Sequence, residues 1–463
     1  MNEIDDQEAE GRRQEPEAPG SPAPTPSGKL ISDQRSVVSE KASNSSAGLR
    51  SADPFFSGRK HFPELDGLRG LAILMVLATH YAMAIPTNNA GERALKNILT
   101  HGWAGVDLFF VLSGFLITGI LLDSKGQWNY FRNFYGRRTL RIFPLYYGFL
   151  ALLLLGLIAF NFARHWDPSL PPSTNLWRIQ PWLWTYTFNI ACAFGHGSDH
   201  LGQLWSLSVE EQFYLVWPLV IFICPGRLLV RICALLIASA LILRILLFYF
   251  APHVDAYFLT PTRMDSLAVG ALIAVLARSR HSGNLRAYGN WAIAIAGLVL
   301  AGRFALGLTR WITHNGTSAA AVTHLGALWD QCLIFTVVAF FFGALLIKTI
   351  SQKRGGSRGI LGKVFSAKPL RTAGKYSYGW YVFHYPIWIL SLGIAAGLPA
   401  LNQARGTAAF AAFIIPINFL VSFGVAFASF HLYEKHFLKL KRYFPERMIN
   451  PPAKAPGSGL TNP

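Results

Sequence analysis

Apolar runs about twenty residues long, repeated along most of the chain, limit the possible folds more than any other feature of this sequence. Segment 151–160 (ALLLLGLIAF) contains no polar side chain at all. A helix needs roughly 20 apolar residues to cross a bilayer core, and inside that core every backbone N–H and C=O must be bonded within the protein. Only helices and closed barrels meet that demand. Barrel strands alternate apolar and polar residues at every second position, and these runs do not. The predicted class is therefore all-α, a polytopic membrane protein of about ten transmembrane helices with both termini cytoplasmic. With 52% of the 463 residues hydrophobic and 14% charged, an ordinary soluble enzyme is excluded.

The spans are expected at 68–86, 103–122, 142–162, 208–224, 229–250, 262–277, 290–308, 326–347, 376–398 and 408–431. The segment 182–195 is apolar, but it is short and flanked by Pro181 and Gly195-His196-Gly197, so it is read as an interfacial or re-entrant piece. Residues 1–61 are rich in Glu, Ser, Pro and Gly and are expected to form a disordered cytoplasmic tail. The membrane domain is expected over 62–437, with a short cytoplasmic tail over 438–463. The polar lead is too long for a cleaved secretory signal, so the first helix would direct insertion.

Loop charges test this layout independently, because cytoplasmic loops collect Lys and Arg. With residues 1–61 placed inside, the inner turns and C-terminal segment hold 23 basic residues, whereas the outer loops hold six: Arg93, Lys96, Arg164, Arg178, Arg310 and Arg405. The formal net charge of +18 thus sits beside membrane helices, where anionic headgroups are the expected partner and nucleic acid is not. Cys192, Cys224, Cys233 and Cys332 are scattered, form no CxxC pair, and are read as packing residues without metal or disulfide chemistry.

Ionisable side chains within a bilayer cost several kcal/mol, so they mark function by default. Arg69 and His80 are eleven residues apart, which at about 100° per residue is three turns plus roughly 20°. Both lie on one face of the first helix, about 16 Å apart along its axis. Histidine exchanges a proton near neutral pH and suits a general base; a core histidine satisfied by a carbonyl is the competing reading. Glu210 and Glu211 open the fourth span. They point about 100° apart, so helix capping accounts for one and a polar cavity for the other. Asp66, Asp107, Ser113, Asp265, His384 and Glu434 are further polar groups within or beside spans. Ser113-Gly114 also fits a small-residue patch for close helix approach. Asp265 and His384 divide between cavity lining and structural pairing, and Glu434 suits an anchor for a cytoplasmic arginine. Arg138 and Arg141, in the turn before the third span, lie roughly on one helical face, and two guanidinium forks there can hold a phosphate-rich ligand. Topology alone also demands a basic cluster at that point.

The sequence resembles the acyltransferase family 3 membrane enzymes, which include O-antigen acetylases. The resemblance is carried by Pro63-Glu64-Leu65-Asp66-Gly67-Leu68-Arg69-Gly70 followed by His80, and by Gly105-Val106-Asp107-Leu108-Phe109-Phe110-Val111-Leu112-Ser113-Gly114-Phe115. Further along come Arg138-x-x-Arg141, Trp205-Ser206-Leu207 with Glu210-Glu211-Gln212-Phe213-Tyr214, Arg263-Met264-Asp265, and Tyr376-Ser377-Tyr378 with His384-Tyr385-Pro386. It implies transfer of an acyl group, expected to be acetyl, from a cytoplasmic acyl-CoA donor such as acetyl-CoA to a hydroxyl of an extracytoplasmic glycan or glycolipid, at the plasma (inner) membrane. No permanently bound cofactor is expected. Arg69, Arg138 and Arg141 would bind the coenzyme A phosphates. His80 would act as general base with Glu210 or Glu211 in support, a transient acyl-histidine being the alternative. Asp66, Ser113, Asp265 and His384 would line the cavity. Some family members continue into a soluble hydrolase-like domain; this sequence ends about twenty residues after Tyr443, so a stand-alone membrane module is expected. Two other readings are a transporter of a glycan or lipid precursor and a membrane ligand sensor. The first predicts internal repeats, which the sequence does not show. Acceptor, acyl length and oligomeric state are left open.

Overall fold

In a computed structural model, residues 62–166, 174–198, 200–313, 324–351 and 359–445 are described. The expected tails, and the basic residues at 352–358, lie outside them except at the margins. The described chain is all-helical, without strands. Ten long helices follow one another: α1 Pro63–Tyr81, α2 Gly105–Ser124, α3 Tyr130–Trp166, α4 Trp205–Ile223, α5 Gly226–Phe250, α6 Thr260–Ala277, α7 Leu285–Thr313, α8 Ile334–Ile350, α9 Lys368–Gly397 and α10 Ala408–Ser429. Eight helical stretches are long and apolar enough to cross a membrane; α6 and α9 are not among them. Both are diluted by polar groups, Arg263 and Asp265 in α6 and the Tyr376-Ser377-Tyr378 and His384 positions in α9.

The segment 182–195 forms no crossing helix. It folds as two short helices, Gln180–Trp184 and Phe188–Ala193, joined through Tyr186 in the left-handed region at φ 54°. The turn carries α4 back: Gln212 Nε2 donates to the Tyr186 carbonyl at 2.8 Å and to Asn189 Oδ1 at 2.9 Å. One difference from the sequence reading lies in α3, which begins at Tyr130 rather than at the expected 142. Tyr130 and Phe134 are buried in the core, so this stretch is folded in before the apolar run begins. Arg138 and Arg141 therefore sit inside a helix, about two and about three turns from its start.

Association of helices in lipid depends on close packing, and small residues permit it. α1 packs on α9 and α2, and α2 packs on α6. At the α1–α9 crossing, a Cβ on Gly70 would lie 2.0 Å from the Leu370 carbonyl oxygen, and one on Gly374 would lie 1.8 Å from that of Asp66. The α2–α6 crossing repeats the arrangement with Gly114 against Leu267 O (1.9 Å) and Gly270 against Val111 O (2.0 Å). The obstructing atoms are backbone, so no rotamer change makes room. Two fully buried ion pairs tie α6 to its neighbours: Arg263 to Asp107 of α2 at 2.7 Å, and Arg244 of α5 to Asp265 at 2.7 Å. Ser266 Oγ donates to Asp107, which thus accepts twice, and Thr336 Oγ1 and the Ser266 backbone N–H donate to Asp265, which accepts three times. Arg244 donates further to the Cys332 carbonyl at 2.9 Å.

Candidate functional site

α1, α2, α3, α4 and α9 surround a cavity of about 110 Å³. Arg69, Arg138 and Arg141 face it together with Ser113, Ser206, Glu210, Tyr214, Tyr378 and Tyr381. Three arginines from two helices thus converge on one space. Asp66 holds Arg69 through a 3.2 Å ion pair one turn earlier on α1. The Arg138 guanidinium lies over the Tyr214 ring, 5.0 Å from its centroid, an arrangement that leaves the fork's N–H edges available to a ligand.

Tyr214 organises the opposite wall. Its hydroxyl donates to Glu210 Oε2 at 3.0 Å and makes a short hydrogen bond with Ser113 Oγ. Tyr214 can donate once, to the carboxylate, so Ser113 donates to Tyr214. The resulting chain Ser113→Tyr214→Glu210 ends on an acceptor. The Ser113-Gly114 pair divides its duties: Gly114 packs against α6, and Ser113 faces the cavity.

His80 lies further along the α1 stripe, half-buried, and it meets His384 of α9: His384 Nε2 is 3.2 Å from His80 Nδ1. The surrounding carbonyls fix the protons. His384 Nδ1 lies 2.8 Å from the Tyr381 carbonyl and 3.1 Å from that of Trp380, so it carries the hydrogen. His80 Nδ1 lies 3.0 Å from the Val76 carbonyl, so it too is a donor. His384 Nε2 is then the acceptor between the rings, and the His80 Nδ1–H is shared between it and the Val76 carbonyl. His80 Nε2 is the ring nitrogen outside these bonds, the position a general base would use. Tyr385 packs on His80 with ring centroids 4.6 Å apart.

The predicted residues therefore fall into three groups. Arg69, Arg138, Arg141, Ser113 and Glu210 share the cavity, with Asp66 bonded to Arg69; His80 and His384 form a pair beyond it; Asp265 is in the buried ion pair with Arg244. Glu211 is oriented apart from Glu210 as its position on the helix dictates, with Oε1 buried and unpartnered. Glu434 accepts from Ser429 Oγ at 3.0 Å, and among the described residues it forms no ion pair with an arginine. Sequence reasoning missed Tyr214, Tyr381 and Arg244 as organising groups. Arg244 carried a signal, since it stands inside the apolar run Leu241-Ile242-Leu243-Arg244-Ile245-Leu246-Leu247. The tyrosines carried none that separates them from interfacial aromatics.

The helical bundle holds a basic cavity and, further along α1, a histidine pair, and the chain belongs to the acyltransferase domain family, which it matches over residues 62–428. Among its curated relatives is the peptidoglycan O-acetyltransferase OatA of Listeria monocytogenes, 32% identical over 72% of this chain and 50% of that protein. The putative peptidoglycan O-acetyltransferase YrhL of Bacillus subtilis is 28% identical over 81% of this chain and 55% of its own. The O-acetyltransferase OatA of Staphylococcus aureus is 28% identical over 71% and 51%. The chain spans about half the length of these relatives. No solved structure matches it.

Proposed function

We propose that this protein is a membrane O-acyltransferase that carries an acetyl group from an acyl-CoA donor, taken up at the α1 N-terminal end, to a hydroxyl of a cell-wall glycan on the other side of the plasma membrane. The observation that carries the proposal is the order along α1: Arg69 in a cavity with Arg138 and Arg141, then His80 with its Nε2 lone pair free. Three guanidinium groups suit a phosphate-rich donor. Loop charge asymmetry supports a cytoplasmic donor side. His80 Nε2 removes the proton from the acceptor hydroxyl as its oxygen attacks the thioester carbonyl; the C–S bond then breaks, leaving the ester, and the departing coenzyme A thiolate takes the proton back from His80. His384 acts through His80, holding its ring and tautomer, much as a buried partner holds a catalytic histidine elsewhere. The names of the relatives support acetyl as the acyl group and peptidoglycan as the glycan.

The test is mass spectrometry of cell-wall glycans from strains with and without the gene, together with a His80→Ala strain. Glycan fragments heavier by one acetyl group are expected only with the intact protein. Equal acetylation in all three strains, with the protein present in membranes, would sink the proposal.

A further inference from the structure

A second cavity, of about 290 Å³, opens where α1 ends and α10 begins. Met83 and Ala84, three and four residues past His80, line it, and so does Trp388, four residues past His384. On both helices the cavity thus begins one turn, about 5 Å, beyond the histidine pair. Tyr81 connects the two, its ring 5.1 Å from that of Trp388.

The charges around this cavity are unusual for their place. Lys96 and Arg405 line it, and no carboxylate does. They are two of the six basic residues in loops that topology should keep poor in Lys and Arg. Glu92, one turn before Lys96, would be its natural partner. Its carboxylate is instead turned back to cap the helix Ala90–Thr100, accepting from the Asn88 backbone N–H at 2.9 Å. The Lys96 ammonium reaches only the Ile85 carbonyl, at 3.1 Å, and among the described residues neither cation has an acidic partner. In the same wall Trp388 is fully buried with its indole N–H unpartnered. Ile85, Leu392 and Phe410 complete an apolar side.

We propose that this cavity is the acceptor subsite and that it selects a saccharide bearing a carboxylate, which Lys96 and Arg405 hold. The inference rests on the acyltransferase reading above. An anion held by these cations would sit about one helical turn beyond the histidine pair, a step comparable to a pyranose ring, so a hydroxyl of the same saccharide is the group offered toward His80. An anionic lipid headgroup has the same charge, but it has no need of a position next to the proton acceptor.

The experiment is equilibrium binding to the full-length protein in nanodiscs of neutral lipid, which does not depend on turnover. The probe is the GlcNAc–MurNAc disaccharide, whose lactyl ether carries a carboxylate, compared with its methyl ester. The free acid should bind at least about 10-fold more tightly than the ester, the loss of charge-assisted bonds to two cations. Lys96→Gln with Arg405→Gln should remove that difference while leaving the affinity for a donor thioester unchanged. Because Arg405 is exposed but Lys96 is half-buried, thermal unfolding of the double variant checks that it is folded. Trp388→Phe, which keeps the ring and loses the N–H, should weaken the acid by a smaller factor. Equal affinity for acid and ester overturns the subsite, as does a charge effect that appears only when phosphatidylglycerol replaces neutral lipid. If the acid binds as expected and no preparation transfers acetyl, the acyltransferase reading fails and the subsite stands.

Discussion

Replacing His384 separates a positioning role from a catalytic one. His384→Asn keeps an N–H near the Nδ1 position, able to satisfy the Tyr381 and Trp380 carbonyls, and deletes the Nε2 acceptor that faces His80. His80 does not lose its tautomer outright, because the Val76 carbonyl at 3.0 Å still accepts from Nδ1. The loss is one hydrogen bond between neutral groups, about 0.5–1.5 kcal/mol. At 1.36 kcal/mol per decade this lowers kcat by about 2- to 10-fold. A general base contributes about 100- to 10,000-fold, so His80→Ala should fall far below His384→Asn. His384→Gln places an amide oxygen near the lost Nε2 and should restore much of the rate. The assay is acetyl transfer by the purified protein in nanodiscs, with kcat and KM separated for donor and acceptor. Both KM values should stay unchanged in the two His384 variants. If His384→Asn is as inactive as His80→Ala, and Gln gives no recovery, His384 takes part in the proton transfer itself and the positioning argument is refuted.

Replacing Arg138 and Arg141 together by Ala should raise KM for the acyl-CoA donor by about 10-fold or more while acceptor KM holds, since charge-assisted bonds are worth about 1.5–3 kcal/mol each; donor titrations decide it. Tyr214→Phe removes the hydroxyl between Ser113 and Glu210 and leaves a buried carboxylate without its donor, so transfer should drop at an unchanged protein level in membranes, read by immunoblot and acetyl transfer side by side. Arg244→Met strands the Asp265 carboxylate and should destabilise by about 3–5 kcal/mol; Arg244→Met with Asp265→Leu should recover part of that, as thermal unfolding in detergent would show. Gly374→Ala meets the Asp66 carbonyl oxygen at 1.8 Å and must push α9 off α1, so both stability and kcat should fall. Full activity in that variant would disconnect the crossing from the chemistry.

Much of this fold is legible from hydropathy, because each apolar run has to find a bilayer-spanning helix. The late start assigned to the third span has a plain cause. The first turns of α3 are aromatic and basic, so a window tuned to aliphatic residues starts too late, and Arg138 and Arg141 look like a loop. α6 and α9 have lost apolar character to groups whose cost is met by partners, Asp107 of α2 for Arg263 and the carbonyls of its own turn together with His80 of α1 for His384. The placement of Arg69 and His80 on one face follows from 100° per residue and needs no partner. The pairing of His80 with His384, 304 residues away, is a tertiary fact.

That pairing nevertheless has a simple origin in the sequence once the crossing is known. Gly70 and Gly374 are where the backbones of α1 and α9 touch, a Cβ on either lying within 3.2 Å of the other's amide nitrogen. His80 is ten residues beyond Gly70, and His384 is ten residues beyond Gly374. The two helices run in the same direction, so equal steps of about 15 Å from a shared point bring both imidazoles to the same depth. Equal spacing accounts for the shared depth; that the rings also meet is shown by the 3.2 Å approach of His384 Nε2 to His80 Nδ1. The spacing Gly-x9-His, written once in α1 and again in α9, therefore sets the two histidines at one depth. The lone pair on His80 Nε2 depends on two glycines about 15 Å away having no side chains.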